Sequence, residues 1–305
     1  MQKYNKRDYW LKFNEIVASF ILYKWSKIKI NFFLEGQISC LYLHLKERKI
    51  MIEDIINIAK EAGSIVREGF GKQLKIEYKT NETNLVTDID KASEKLITDF
   101  IKKKYPTHKI LAEESGESGS SSEYLWVIDP LDGTTNFAHK LPIFSVSIGL
   151  QKNGETIAGV VYDVMRDIVY SSELNSGSFA NGEKLMVNQN DLIGHSVLVT
   201  GFPYNVAENP DNVIQKFAAV IKASRAVRRL GSAAIDFCYV ASGVFDGFWE
   251  VSLFPWDMCA GKLIVEEAGG LVTNFSGNKI NIYSKQILAS NGKIHKSLME
   301  ILNSN

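Results

Sequence analysis

The sequence predicts an α/β (α+β) layered sandwich, and three observations lead there. Short apolar runs of strand length, at 110–112 and 125–128, each end in acidic residues. Three strand patterns between residues 143 and 170 are separated only by hairpin-like turns. Stretches with apolar residues at helical spacing precede and follow them, so helices and strands must pack as layers.

Taken in chain order, residues 52–69 repeat apolar positions at helical spacing, 74–79 read as a strand, and 88–104 form the next helix. That helix carries Ala92, Leu96, Ile97, Phe100 and Ile101 on one face. Thr87 or Asp88 is placed to cap it, which leaves Asp90 in the first turn as the other candidate acid. Residues 115–122 are a small polar loop. Leu125, Trp126, Val127 and Ile128 make an interior strand that Pro130 and Gly133 should stop. Lys152-Asn-Gly-Glu155 and Met165-Arg-Asp167 are the turns of an antiparallel set. Beyond lie a strand at 197–200, a helix at 210–223, an apolar helix at 232–242 ended by Gly243, and a strand up to Glu250. Pro255-Trp256-Asp257 opens a helical pattern from Met258 to Ala268 that Gly269 and Gly270 stop. A strand at 287–290 and a helix from about 293 to 302 close the chain.

The chemistry concentrates in Trp126-Val-Ile-Asp-Pro-Leu-Asp-Gly-Thr-Thr-Asn-Phe137. Asp129 and Asp132 leave a strand together, where side chains can converge on a cleft, and hard divalent cations prefer such carboxylate oxygens. If a helix starts at Gly133, Thr134 and Thr135, its first N–H groups face an anion. Metal on one side and amides on the other would clamp a phosphoryl group. Each acid also has an ordinary structural reading. Asp-Pro and Asp-Gly are common turn formers, Glu113 and Glu114 could be a solvated strand end, Asp257 a helix N-cap, and Glu250 an exposed strand-end acid.

Other patterns fall away on spacing. Residues 177–184 have the outline of a phosphate loop, but Glu183 separates Gly182 from Lys184 and no Ser or Thr follows. Gly116-Glu-Ser-Gly119 is one residue short of a nucleophile elbow. Five scattered histidines without paired cysteines do not suggest zinc. Cys40, Cys238 and Cys259 have no disulfide-framework spacing, which suits a reducing, cytoplasmic compartment. At zero net charge, Arg225, Arg228 and Arg229 read as a solvated or subunit-contact cluster, and no nucleic acid is expected.

Residues 1–50 stand apart. They hold ten Lys or Arg against four Asp or Glu, a net of +6, whereas the remaining 25 basic and 31 acidic residues give −6. Lys24, Lys27 and Lys29 interrupt any bilayer-length apolar run, so no membrane span is expected. Ser19 to Tyr23 is too short for a signal-peptide core. The segment reads as upstream sequence that packs poorly and has no catalytic role, with a membrane-surface helix as the other reading.

Val86-Thr-Asp-Ile-Asp90, Ala112-Glu-Glu-Ser115, the 126–137 segment, Gly231-Ser-Ala-Ala234 and Trp256-Asp257 occur in an order that resembles the inositol monophosphatase family, from about Met51 onward. The resemblance implies alternating α-β-α-β-α layers with mixed and antiparallel sheets, and a site between a half at about 51–190 and a half at about 191–305. It implies two to three Mg²⁺ ions and inhibition by Li⁺. Glu113, Asp129 and the Leu131 carbonyl would bind the first ion, and Asp129, Asp132 and Asp257 the second. Glu113 with waters would bind a weaker third. Asp90 and Thr134 would orient the attacking water, and the Gly133 and Thr134 amides would take phosphate oxygens. Ser232, Ala233 and Glu250 would meet the substrate, a small phosphorylated polyol such as inositol 1-phosphate. A homodimer is the implied assembly. Fructose 1,6-bisphosphate is the rival substrate, and contact with the transcription machinery is the rival role of another class.

Overall fold

In the computed structural model, the described residues are 32–73, 75–78 and 85–304, with side chains from residue 51 onward. By packing, the chain divides into two units, Met1–Met51 and Ile52–Asn305. Of the first, only a helical course from Phe32 is described, as part of helix α1, Phe32–Gly69. The expectations for residues 1–31 lie outside the described residues, as do Asn84 and the two ends, 74 and 79, of the anticipated strand. Its middle is strand β1, Ile76–Tyr78, paired antiparallel with β2, Leu85–Thr87.

The second unit holds an eight-stranded sheet built from residues 109–184: β3 (Lys109–Ala112), β4 (Gly116–Ser118), β5 (Tyr124–Asp132), β6 (Ser145–Lys152), β7 (Glu155–Asp163), β8 (Ile168–Glu173), β9 (Gly177–Ala180) and β10 (Glu183–Lys184). Its order is β10-β9-β8-β7-β6-β5-β3-β4, antiparallel throughout except where β3 runs parallel to β5. A mixed five-stranded sheet from residues 197–290 has the order β12-β11-β13-β15-β14, with β11 as Val197–Thr200, β12 as Ala226–Arg228, β13 as Gly247–Val251, β14 as Leu271–Thr273 and β15 as Gln286–Ser290.

Helices supply the other layers. Helix α2 (Asp88–Lys104) packs on β5, outside the large sheet. The short α3 (Thr134–Ala138) follows β5. Helix α4 (Val213–Ala223) packs against α7 (His295–Leu302) on the outer side of the small sheet. Between the sheets lie α5 (Ala233–Ala241) and α6 (Pro255–Glu267), buried almost all round. A helix that is apolar on every side belongs in an interior, and both sheets supply the walls. The result is an α-β-α-β-α sandwich, the α+β architecture expected.

Three local readings need correction: the end of β5, the loop at 115–122 and the buried face of α2. Strand β5 does not stop at Pro130: its ladder with β6 breaks after Asp129 and resumes at Asp132, across from Ser145. A bulge tolerates a residue without an N–H, and here the Ser93 hydroxyl donates to the Pro130 carbonyl at 2.9 Å. The anticipated loop at 115–122 contains β4, and the rejected phosphate loop at 177–184 is the β9–β10 hairpin. Helix α2 buries a face rotated from the apolar stripe: Ser93, Glu94, Ile97 and Thr98 are buried while Ala92 is exposed. That rotation aims polar groups at the end of β5. Helix α6 starts at Pro255, with proline in its tolerated first position.

Candidate metal and phosphate site

The C-terminal ends of β3 and β5 and the N-terminal ends of α5 and α6 open onto one cavity of about 300 Å³. Glu113, Asp132, Gly133, Thr134, Ser232, Ala233, Glu250 and Asp257 all line it. Asp129 lies at the end of β5, 2% exposed, with its carboxyl hydrogen-bonded to that of Glu113. Burial, then the charges of Glu113, Asp132 and Asp257, hold Asp129 well above the usual carboxylate range. Burial does the same to Asp257, opposed by the Phe254 N–H and reinforced by Glu113, Asp132 and Glu250.

Asp132 is the structural joint. Its Oδ2 accepts from Ser145 Oγ at 3.1 Å, from Ser232 Oγ, and from the Ala234 N–H at 3.0 Å, while Oδ1 accepts from the Ala233 N–H at 3.2 Å. One carboxylate thus ties the large sheet to the N-terminus of α5, where the helix dipole favours negative charge. Burial still pushes it up to about 6 against those bonds.

Asp90 completes a capping box with Thr87: its Oδ2 accepts the Thr87 N–H at 2.9 Å and the Thr87 hydroxyl. Its Oδ1 lies 2.9 Å from Thr134 Oγ1, which is also 3.0 Å from the Leu131 carbonyl. One hydroxyl proton faces two acceptors. Burial lifts Asp90 to about 6, against the bonds from Thr87 and Thr134.

The turn between β5 and α3 depends on Gly133, whose φ is +99°. A Cβ there would lie 3.0 Å from the Ile143 carbonyl and 3.2 Å from that of Gly231. Asn136 fastens the same turn, donating to the Ile143 and Leu230 carbonyls at 2.8 Å each. Gly133→Ala is therefore expected to destabilise by about 1–3 kcal/mol and to lower phosphate release; a thermal melt matching the parent would refute this.

The donor set fits hard cations. Every ligand candidate is an oxygen, and the charges acting most strongly on Asp129 and Asp257 are all carboxylates. Among the described residues, however, no three Asp, Glu, His or Cys side chains stand as a ready ligand array. The physical reason is visible in the bonding: Asp129 is turned to the Leu131 N–H at 3.0 Å, Asp257 to the Phe254 N–H at 2.7 Å, and Asp132 to α5.

A family model described as inositol monophosphatase family matches residues 48–305. The chain belongs to the inositol monophosphatase family. It is thereby a phosphoric monoester hydrolase. It is 42% identical over 82% of its length to "Phosphatase IMPL1, chloroplastic" of Arabidopsis thaliana, covering 69% of that protein. It is 43% identical to "Nus factor SuhB" of Pasteurella multocida, over 82% of this chain and 94% of that one. The solved structure of an inositol monophosphatase from Anabaena (Nostoc) superposes with a TM-score of 0.74 at 41% identity, covering 82% of this chain and 96% of that one.

Within this inositol monophosphatase family chain, one residue named by the resemblance differs from its local reading, and Arg229, Tyr204, Asp236 and Glu94 escaped sequence reasoning as site residues. Glu250 is not an exposed strand end: it is 7% exposed, and burial, partly offset by Arg229, pushes it up to about 8. Gly201 makes the space, because a Cβ there would come within 2.4 Å of the Glu250 carboxyl carbon. Arg229 is solvent-exposed as expected, yet it lines the cavity, as do Tyr204 and the buried Asp236. Glu94 shapes the turn after Glu113, accepting the Glu114 N–H at 2.7 Å and the Ser115 N–H at 2.9 Å.

Proposed function

We propose that this member of the inositol monophosphatase family hydrolyses inositol 1-phosphate, or a close polyol phosphate, with Mg²⁺ as cofactor and water as nucleophile. The observation that carries the reading is the set of carboxylates, Glu113, Asp132, Glu250 and Asp257, that line one cavity, with Asp129 buried beside them. Phosphate-monoester hydrolysis is among the slowest uncatalysed reactions, with accelerations up to ~10²¹-fold required of its catalysts. When bound, Mg²⁺ masks phosphate charge and lowers the pKa of water.

The chain's own residues then position and hold. Glu113, Asp129 and the Leu131 carbonyl bind one ion, Asp129, Asp132 and Asp257 a second, and Glu113 with waters a third. Asp90 Oδ1 and Thr134 Oγ1 orient the attacking water, and the Asp90 carboxyl, with its pKa near 6, suits it to accept a proton there. The Gly133 and Thr134 amides take phosphate oxygens. Ser232, Ala233 and Glu250 meet the polyol. Because masked phosphoryl groups need positioning more than covalent attack, no Ser, Cys or His nucleophile is required. Inhibition by Li⁺, a homodimer and a cytoplasmic setting belong to the same reading; among the described residues no helix is long and apolar enough to cross a membrane.

A phosphate-release panel tests it: inositol phosphates, fructose 1,6-bisphosphate, histidinol phosphate and adenosine 3′,5′-bisphosphate, each with Mg²⁺ and with added Li⁺. Inositol 1-phosphate should lead. Preference for the nucleotide or the sugar bisphosphate would replace the substrate. The relative named a Nus factor favours one second reading, a regulatory contact with the transcription machinery. Asp132→Asn separates the two, since binding to RNA polymerase would persist where phosphate release is lost.

A further inference from the structure

Three charged side chains sit at the cavity without using their bonding capacity. Arg229, Asp236 and Glu250 all line it, and none of their side chains has a hydrogen bond or ion pair among the described residues. Asp236 is the extreme case. It lies in the first turn of α5, is 1% exposed, and its Oδ1 is cut off from solvent with no partner. Leaving a buried acceptor unmatched costs about 1–3 kcal/mol, which the helix dipole at the first turn of α5 offsets only in part. The α5 neighbours Ile235 and Phe237 are fully buried apolar residues, so an apolar side chain would be the ordinary occupant.

The surroundings narrow what could satisfy it. Asp132 and Glu250 are carboxyls close enough to oppose ionisation of Asp236, so a second phosphate or a carboxylate would meet acids rather than donors on that side. Arg229 acts on it from the opposite sign, so an ammonium group would meet repulsion as well. A neutral group that both donates and accepts suits two carboxyls and a guanidinium together, and an alcohol is the simplest such group.

We propose that Asp236 is a specificity-determining residue that hydrogen-bonds a ring hydroxyl of the substrate, next to the hydroxyl met by Glu250, with Arg229 donating to the same diol from the rim. This rests on the polyol-phosphate reading above. It makes the part of the cavity lined by Arg229, Asp236 and Glu250 a recognition surface for a vicinal diol.

The test compares the full-length parent, Asp236→Ala and Asp236→Asn on two substrates with Mg²⁺: inositol 1-phosphate, and p-nitrophenyl phosphate, which has no ring hydroxyls. Losing a hydrogen bond inside a closed pocket should lower kcat/KM for inositol 1-phosphate by about 10- to 100-fold in Asp236→Ala, mainly through KM. The value for p-nitrophenyl phosphate should stay within about twofold. Asp236→Asn, whose amide can still bond a hydroxyl, should recover most of the loss. Equal losses on both substrates, with a lowered melting temperature, would mean a structural role and overturn the proposal; so would no loss on either. A parent that cleaves p-nitrophenyl phosphate but not inositol 1-phosphate speaks against the substrate reading instead. The same three proteins are then compared on whichever hydroxylated phosphate the panel favours, and a parent that cleaves none of them overturns both.

Discussion

Asp129→Asn is expected to abolish phosphate release, by about 10³-fold or more, while the metal-free protein becomes more stable. The substitution keeps shape and preserves the carbonyl oxygen that accepts the Leu131 N–H at 3.0 Å. What it removes is an ionisable carboxyl at the centre of a group in which Glu113, Asp132 and Asp257 all oppose its ionisation. An acid held well above its ordinary range loses stability at neutral pH because the unfolded chain ionises freely and the folded one does not. The amide has no such cost, so the chelated variant should melt at a higher temperature than the chelated parent. The same change deprives both proposed ions of a shared ligand. Added Mg²⁺ should therefore raise the melting temperature of the parent and hardly move that of the variant. Retained activity, or loss of the fold in chelator, would mean that Asp129 is a structural acid and the proposed metal set is wrong.

That opposition between stability and activity was partly visible in the sequence. Acids at the ends of 110–112 and 125–128 are legible because a strand end is the place where a fold can aim a side chain, and Asp129 and Asp132 do sit at the end of β5. The helix at Asp88–Lys104 and the three hairpin strands between 143 and 170 were equally readable, since periodicity and turn chemistry are local. The bulge that carries β5 past Pro130 was not, because its support comes from Ser93 on another element. Burial of Glu250 was hidden for the same reason: it depends on the gap at Gly201, which is remote in the chain. Asp236 gave no local signal at all. One acid in an apolar helix reads as its solvent face, and only the two flanking sheets show that α5 has none. The short strands Ala226–Arg228 and Leu271–Thr273 were missed because three residues offer no period to count, and each exists through its neighbour's ladder.

The acid cluster also sets a pH dependence whose sign follows from its directions. Asp90 and Asp132 are raised from 3.8 to about 6, Glu250 from 4.5 to about 8, and Asp129 and Asp257 well above 3.8, all with burial as the leading cause. For each, the folded state binds its proton more tightly than the unfolded state. The associated stability is fully present below the unfolded values and is lost as pH rises through the folded ones. One buried histidine runs the other way: His295 is lowered from 6.5 to about 4 by burial, so its contribution is lost as pH falls below 6.5. The acids are therefore isolated above 6.5. Chelated protein should lose stability between about pH 6.5 and 8.5, with Glu250 alone worth on the order of 2 kcal/mol over that interval. Mg²⁺ competes with protons for the same carboxylates, so its stabilisation should be larger at the higher pH and should flatten the decline. Thermal melts at both pH values, with chelator and with Mg²⁺, decide the matter. A chelated protein that grows more stable toward pH 8.5, or a Mg²⁺ shift that is the same at both, would mean that protons and cations do not share these groups.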